Sequence, residues 1–393
     1  MAYKYVTFVV IVLVAVLGRK IQVKLESANL PPGYTFNDEN CVLVGMNKDL
    51  KGGEDLALGK HSILFVTVGD LFSIFESGAA SSTIGGIWIM DVRHGASKEP
   101  VKIDIEGFPA NKIIHGHGID VSNTTDRLFF INHHGDSSSV EVLTIKYNMN
   151  CISQIPWRCS PVTLKFVTSI SSTLFPNMGI NDVVEADDNH VFVSRWRVFS
   201  FPTQGTKNPS GILESIKTFL DIPIHIFSLK LTTVYVCTIS TSVCDVATDE
   251  TFVGANGITI NAGRDKLFVN DPTENLITVF NINPKNLKLM KESTINLPFA
   301  ADNIEYDDLS DEVIIGTIPD LTAAIKKGMD PSFPVPGGMA IASLQGSGWK
   351  IRDILEHDGT KLSQISAAAR FGPTVILGSP GSEGLLVCPN VNY

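Results

Sequence analysis

Residues 256–269 read NGITINAGRDKLFV: a small polar pair, a branched aliphatic residue, a polar turn and then a run of apolar residues. Residues 117–131, HGIDVSNTTDRLFFI, repeat this order of residue types. Branched and aromatic residues bounded by turn residues are typical of short β-strands. The pattern therefore predicts a β-rich structural unit that is repeated along the chain.

The pattern occurs five times clearly and once weakly. The copies begin at Glu54-Asp55-Leu56, His117-Gly118-Ile119, Asn181-Asp182-Val183, Asn256-Gly257-Ile258, Asp302-Asn303-Ile304 and, in the weak copy, Gln364-Ile365-Ser366. The strands that follow are 63–66, 128–131, 191–193, 267–269, 313–315 and 375–377. Successive copies start about 45 to 75 residues apart, which is typical of a four-stranded propeller blade with a long loop. We therefore expect an all-β fold, a six-bladed β-propeller over residues 41–388, followed by a tail over 389–393.

The six cysteines fit an oxidising compartment, where 15 pairings are formally possible. Cys41 lies just before the first copy and Cys388 just after the last, so a disulfide between them would close the ring of blades. Two unrelated buried thiols are the alternative. Local pairing is expected for Cys151 with Cys159, and for Cys237 with Cys244 across a hairpin.

The composition excludes some functions. The chain has 393 residues, of which 44% are hydrophobic and 18% charged, so it can bury a core and is not disordered. Its net charge is −10, and no cluster of Lys and Arg interrupts it. Without such a cluster the protein has no basic surface to bind the phosphates of a nucleic acid, so we expect no nucleic-acid partner.

The N-terminus predicts entry into the secretory pathway. Residues 6–17 are apolar apart from Thr7, with Lys4 before them, as in a signal peptide. Because no convincing cleavage site follows, residues 1–20 are interpreted as a signal peptide or an uncleaved anchor, with 21–40 as a connecting segment. The protein would then be extracellular or membrane-associated, and Asn123 would be available for glycosylation.

Helix is scarce in the predicted structure. Residues 211–220 carry apolar residues at helical spacing and predict a short amphipathic helix. Such a helix could lie on a membrane surface or pack on the core.

The polar residues that open the copies predict a metal site, since the first strand of each propeller blade lines the central channel. Five of them would supply oxygen ligands and two negative charges to one calcium ion: Glu54, Asn181, Asn256, Asp302 and Asn303. Neighbouring side chains on a strand point to opposite faces, so Asp55 and Asp182 would face a second ion. Residues that merely cap turns are the alternative interpretation.

Two histidines are candidates for acid–base chemistry. His117 opens a copy, and His133 follows a strand of the same copy, so they could form a hydrogen-bonded pair. His115 and His117 have the spacing of zinc ligands, but Gly118 and Ile119 stand where further ligands would be needed. No Gly-x-Ser-x-Gly motif offers a serine nucleophile.

These motifs, together with Ile131-Asn132-His133, resemble those of the paraoxonase/arylesterase family from about Cys41 to Cys388. The family consists of calcium-dependent lactonases and esterases that are six-bladed propellers with an N-terminal hydrophobic anchor. The resemblance implies two calcium ions: a catalytic one bound by the five residues named above, and a structural one bound by Asp55, the Ile119 carbonyl and Asp182. It also implies a His117–His133 base dyad and a Cys41–Cys388 disulfide.

The resemblance implies hydrolysis of lactones and aryl esters, with water activated by the dyad and the carbonyl polarised by calcium. A non-catalytic, membrane-anchored scaffold or chaperone for membrane proteins is the alternative. The sequence departs from the family at Ser194-Arg195-Trp196-Arg197, which could favour acidic or flat substrates or cover the channel with Arg stacked on Trp. His134 is a second candidate for the partner of His117.

Overall fold

Within the residues that the structure describes, the chain forms 25 β-strands in six sheets. The structure is a computed structural model that describes residues 30, 34–46, 49–71, 85–93, 99–134, 137–154, 157–199, 224–225, 227–330, 332–346 and 348–392. Each sheet is one blade of a six-bladed β-propeller, so the predicted fold class is confirmed.

The blades follow the six copies in order. Blade 1 contains β2 (Gly53–Gly59), β3 (Ile63–Val68), β4 (Gly86–Asp91) and β5 (Val101–Ile103). Blade 2 contains β6 (Ile105–Glu106), β7 (Gly116–Ser122), β8 (Arg127–His134), β9 (Ser137–Tyr147) and β10 (Val162–Ile170). Blade 3 contains β11 (Ile180–Asp187), β12 (His190–Arg195), β13 (Val234–Thr238) and β14 (Cys244–Val246). Blade 4 contains β15 (Ile258–Ile260), β16 (Lys266–Asp271), β17 (Leu276–Ile282) and β18 (Leu289–Asn296).

Blade 5 contains β19 (Ala300–Asp307), β20 (Glu312–Ile318), β21 (Gly337–Gln345) and β22 (Gly348–His357). Blade 6 contains β23 (Ala367–Phe371), β24 (Thr374–Gly378), β25 (Leu385–Cys388) and, from the other end of the chain, β1 (Val42–Val44). Two α-helices of the described residues connect strands: α1 (Met149–Ile152) lies between β9 and β10, and α2 (Leu321–Met329) lies between β20 and β21. A short 3-10 helix (Lys60–Ser62) connects β2 and β3.

The innermost strand of each blade, which we call its first strand, lies beside the axis; in blade 2 this is β7. Neighbouring first strands contact each other in sequence, β2 with β7, β7 with β11, β11 with β15, β15 with β19, β19 with β23, and β23 again with β2. The ring is therefore closed, and the polar residues that open the copies are brought to a common tunnel.

The core lies between the blades because the second strands are apolar on both faces. In β3, Leu64 and Val66 pack toward blade 6, against residues such as Ile376. The alternate residues, Ile63 and Phe65, pack toward blade 2. Full burial of one such side chain stabilises the fold by about 1.5 to 3 kcal/mol. This two-sided burial explains why the second strands read as continuous apolar runs.

The chain ends meet in blade 6. Val42 pairs with Val387 in the antiparallel ladder of β1 and β25, and the Cys41–Cys388 disulfide joins the two strands. Disulfides also join Cys151 to Cys159 and Cys237 to Cys244, as predicted. These bonds indicate an oxidising compartment.

Several predictions about the surface remain predictions. The N-terminal hydrophobic helix and the amphipathic helix at 211–220 lie outside the described residues. No helix in the described part of the chain is long and apolar enough to span a membrane. Asn123 is exposed on the turn between β7 and β8, where a glycan would have room. The domain boundaries also stay a prediction.

Candidate metal centre and active site

Irregular strand pairing shapes the tunnel wall. The register between first and second strands shifts between Gly53 and Asp55 in β2, between Gly116 and Ile119 in β7, between Ile180 and Val183 in β11, and between Ala301 and Ile304 in β19. The opening residues of four copies, those of blades 1, 2, 3 and 5, lie at these shifts. A bulge bends the strand and redirects its side chains, so the regular alternation assumed from the sequence does not by itself set their directions.

Side chains from five blades lie close together in the tunnel. The Asn303 Nδ2 donates to Glu54 Oε1 at 2.9 Å, and His117 Nε2 lies 3.6 Å from the same oxygen. Asn181 Nδ2 lies 3.2 Å from His117 Nε2, and the side chain of Asn256 hydrogen-bonds to that of Asp302. The five residues predicted to bind the first ion thus lie together in one cluster, which we call the upper set.

Four oxygens of the upper set are buried and have no hydrogen-bond partner among the residues that the structure describes. They are Glu54 Oε2, Asn181 Oδ1, Asn256 Oδ1 and Asn303 Oδ1. A buried polar atom without a partner is costly, and most such atoms in proteins are satisfied. Carboxylate and amide oxygens are the ligands that calcium prefers, so the upper set fits a calcium ion.

Electrostatics favour a cation in the same place. Burial raises the pKa of Glu54 well above its usual value, and the Asp55 and Asp302 carboxylates raise it further. Burial also raises the pKa of Asp302 to about 7. A divalent cation would stabilise the ionised forms of these carboxylates.

A second group, which we call the lower set, consists of Asp55, Ile119 and Asp182. The Asp55 Oδ2 accepts from the Ile119 N–H at 2.9 Å, and Asp182 Oδ2 accepts from the Ile258 N–H at 2.8 Å. Burial raises the pKa of Asp55 to about 7. Burial also raises the pKa of Asp182 well above its usual value, and repulsion from the Asp55 carboxylate raises it further. The lower set therefore links adjacent first strands and carries negative charge that a cation would balance.

Two tunnel carboxylates were missed in the sequence. Burial raises the pKa of Asp120 to about 6, and it raises the pKa of Glu305 well above the usual value, with repulsion from Asp55, Asp120 and Asp182. Each comes directly after a copy's opening triplet. This position was the available signal, because both residues stand at the same phase of the repeat.

The two predicted histidines are in contact. His117 Nδ1 lies 2.9 Å from His133 Nε2, and His133 Nδ1 lies 2.8 Å from Ser138 Oγ. His134 instead contacts Ser139 Oγ at 3.0 Å. Burial lowers the pKa of His117 to about 3, with a further contribution from Arg197, and it lowers the pKa of His133 too. Both rings are therefore neutral at physiological pH.

An aromatic residue and an arginine lie beside the histidine pair. The Trp196 ring meets the His117 ring edge to face at 6.1 Å between centroids, and its Nε1 donates to the Met178 carbonyl at 2.9 Å. The Arg197 guanidinium lies 4.3 Å above the Trp196 ring. The stacking of Arg on Trp that the sequence suggested is therefore present, while the covering of the channel and a preference for acidic or flat substrates stay predictions.

A separate group near the chain ends also brings metal-ligand atoms together. One atom from each of Asp38, His357 and Asp358 lies within 4.8 Å of the others. However, His357 Nδ1 accepts from the Gly359 N–H at 2.7 Å, so the neutral ring carries its proton on Nε2, which faces Asp38 at 3.4 Å. Lys361 Nζ lies 3.4 Å from the same Asp38 oxygen. The ring has no lone pair left for a metal, and we interpret the group as structural.

Comparison with known proteins identifies the family of this chain. The arylesterase family model matches residues 38–384, which include the upper set, the lower set and both histidines. The chain belongs to the arylesterase family. No curated protein matches this arylesterase-family chain.

Solved structures resemble this arylesterase-family chain in fold alone. The PQQ-bound aldose sugar dehydrogenase of Streptomyces coelicolor is 10% identical, with 91% of this chain and 98% of that one covered and a TM-score of 0.50. A gluconolactonase from Xanthomonas campestris is 13% identical, with 92% and 99% covered and a TM-score of 0.47. The periplasmic gluconolactonase of Pseudomonas aeruginosa is 13% identical, with 87% and 84% covered and a TM-score of 0.44.

Proposed function

We propose that the protein is a calcium-dependent hydrolase of lactones and aryl esters. The observation that carries the proposal is the group of orphaned oxygens of the upper set beside His117 Nε2. Membership of an esterase family supports the reaction class. A small-molecule ester or lactone is therefore the proposed substrate, while the natural one is left open.

Glu54, Asn181, Asn256, Asp302 and Asn303 would hold the catalytic calcium. Calcium bound there would supply a Lewis acid that polarises the substrate carbonyl and stabilises the oxyanion. The lower set would hold a second, structural calcium through Asp55, Asp182 and the Ile119 carbonyl. Because these residues come from different first strands, an ion there would hold blades together.

His117 is the proposed general base. Burial keeps the ring neutral, so Nε2 can accept a proton from water when that nitrogen carries the lone pair. His133 contacts the other ring nitrogen of His117 and fixes the ring's orientation. General base catalysis contributes about 100- to 10,000-fold to a rate.

Removing ligands of the upper set tests the proposal. Asn256→Ala and Asp302→Ala should each reduce the bound calcium from near two ions per chain and abolish turnover in a panel of lactones and aryl esters. Loss of one such electrostatic contact costs about 100- to 1,000-fold in kcat, and loss of the ion removes all of them. Metal analysis and the panel are measured on the same purified samples. A chelator should have the same effect on the wild type.

Asn286→Ala is the matched control because Asn286 is exposed on a turn of blade 4. It should leave both calcium content and turnover unchanged. Full hydrolysis after both upper-set substitutions would show that the calcium mechanism is wrong. Two bound calcium ions without any turnover, together with stoichiometric binding of a membrane protein, would instead support the scaffold.

A further inference from the structure

A continuous chain of hydrogen-bonding contacts leads from the tunnel into the protein. Asn181 Nδ2 lies 3.2 Å from His117 Nε2, and His117 Nδ1 lies 2.9 Å from His133 Nε2. His133 Nδ1 lies 2.8 Å from Ser138 Oγ, which accepts the Met178 N–H at 3.0 Å. Each neutral imidazole has one N–H and one lone pair, so the two ends of the chain decide where the protons lie.

The Asn181 end requires a lone pair on His117. An amide nitrogen can only donate, so His117 Nε2 must accept and the ring proton must be on Nδ1. That proton is then donated to His133 Nε2, and His133 carries its own proton on Nδ1. Ser138 Oγ is the acceptor that this proton meets.

The reversed proton order has a specific cost at the tunnel. If Ser138 donates to His133 Nδ1, His117 carries its proton on Nε2, and two donors then face each other at the Asn181 contact. The Asn181 amide would then have to rotate by 180°, so that Oδ1 accepts the hydrogen bond from His117 Nε2. Asn181 Oδ1 would no longer be available to a cation together with the other three unpartnered oxygens. The order with Ser138 as acceptor is therefore the one compatible with a cation in the upper set.

Ser138 can fill this position because a hydroxyl oxygen has two lone pairs. One accepts the Met178 N–H and the other faces His133 Nδ1. The side chain is buried on β9, directly opposite His133 of β8 in the strand ladder. Its position is thus set by strand register rather than by a loop.

We propose that Ser138 is a positioning residue: by accepting the His133 Nδ1 proton, it keeps the lone pair of His117 on Nε2, facing the tunnel. The proton arrangement follows from the contacts alone. Its kinetic consequence rests on the proposed function, in which His117 Nε2 accepts the proton of the attacking water.

Nitrogen NMR of the full-length protein, labelled with ¹⁵N at histidine and measured in excess calcium, tests the arrangement directly. In the wild type, His117 Nδ1 should be protonated and Nε2 should carry the lone pair. Ser138→Ala removes the acceptor at one end of the chain while the Asn181 contact remains, so part of the His117 population should carry its proton on Nε2, whereas Ser138→Thr keeps a hydroxyl and should retain the wild-type spectrum. Ser139→Ala is the matched control, because its hydroxyl contacts His134 and Glu141 instead.

For a lactone that the wild type hydrolyses, Ser138→Ala should lower kcat about 10- to 100-fold, while KM stays within about two-fold. This loss is a part of the rate enhancement that a general base contributes. Ser138→Thr should recover most of kcat, and Ser139→Ala should not shift the His117 signals. A wild-type spectrum with a protonated His117 Nε2 would overturn the proposal, as would a Ser138→Ala spectrum identical to that of the wild type. The predicted spectra without turnover of any substrate would refute the hydrolase and still support the role of Ser138.

Discussion

At the scale of single residues, the structure separates two neighbouring histidines, of which the sequence favours His133 and leaves His134 as a second candidate. His133 and His134 are consecutive on β8, so their side chains leave the strand on opposite faces. His133 contacts His117, while His134 contacts Ser139 in a polar group that includes Glu141 and Lys112. A sequence without a known register cannot choose between them, because a shift of one residue exchanges their faces.

This separation predicts different effects of two similar substitutions. His133→Gln should lower kcat for lactone hydrolysis by roughly 100-fold, because His117 loses the partner that orients it. His134→Gln should leave kcat within about three-fold, since it contacts neither His117 nor the upper set in the described part of the chain. Steady-state kinetics on both variants, with calcium content measured in parallel, check this prediction. Equal losses in the two variants would contradict the assignment of His133.

At the scale of structural elements, two motif glycines allow first strands to approach each other. A Cβ at Gly118 of β7 would lie 2.6 Å from Asp182 Cα in blade 3. A Cβ at Gly257 would lie 2.7 Å from Asn303 Cα in blade 5. Both contacts would be with backbone, which cannot move aside as a side chain can. The small residue in these copies is therefore needed for close packing around the axis.

We expect Gly118→Ala and Gly257→Ala to destabilise the fold and to weaken calcium binding together. Forcing a methyl group into packed backbone costs roughly 1 to 3 kcal/mol, and here it displaces Asp182 or Asn303. Thermal unfolding and calcium titration measure both effects. Gly348→Ala is the control, because no described residue other than a chain neighbour has an atom within 4 Å of a Cβ at that position. Substitution there should change stability by no more than about 0.5 kcal/mol.

Sequence periodicity was sufficient for the blades but insufficient for the details of the tunnel. The strands predicted after the copies, such as 63–66 and 267–269, lie within β3 and β16, because two-sided burial makes second strands easy to recognise. The bulges in β2 and β7 left no periodic signal, since one extra residue looks like ordinary strand sequence. Asp120 and Glu305 follow the register shifts in β7 and β19, so strand alternation in the sequence does not indicate that their side chains face the tunnel.

At the scale of the whole molecule, blade 6 differs from the others because its strands come from both chain ends. The upper and lower sets take their residues from the first strands, or the segments just before them, of blades 1 to 5. Blade 6 contributes hydrogen bonds through Ser366, whose hydroxyl donates to the Glu54 carbonyl at 2.6 Å. Closure of this blade therefore depends on the short β1–β25 ladder and on the Cys41–Cys388 disulfide, more than on bound calcium.

The double substitution Cys41→Ser with Cys388→Ser should accordingly destabilise the protein strongly. The two cysteines are 347 residues apart, and in the chain-entropy model a cross-link of that span stabilises by about 6 kcal/mol. Cys151→Ser with Cys159→Ser, which opens a loop with a separation of 8, should cost about half as much. Denaturant unfolding under non-reducing conditions measures both losses. Excess calcium should raise the stability of both variants equally without restoring the Cys41–Cys388 loss, because no upper-set ligand comes from blade 6. Recovery of wild-type stability by calcium alone would show that the ions, rather than the disulfide, hold the ring closed.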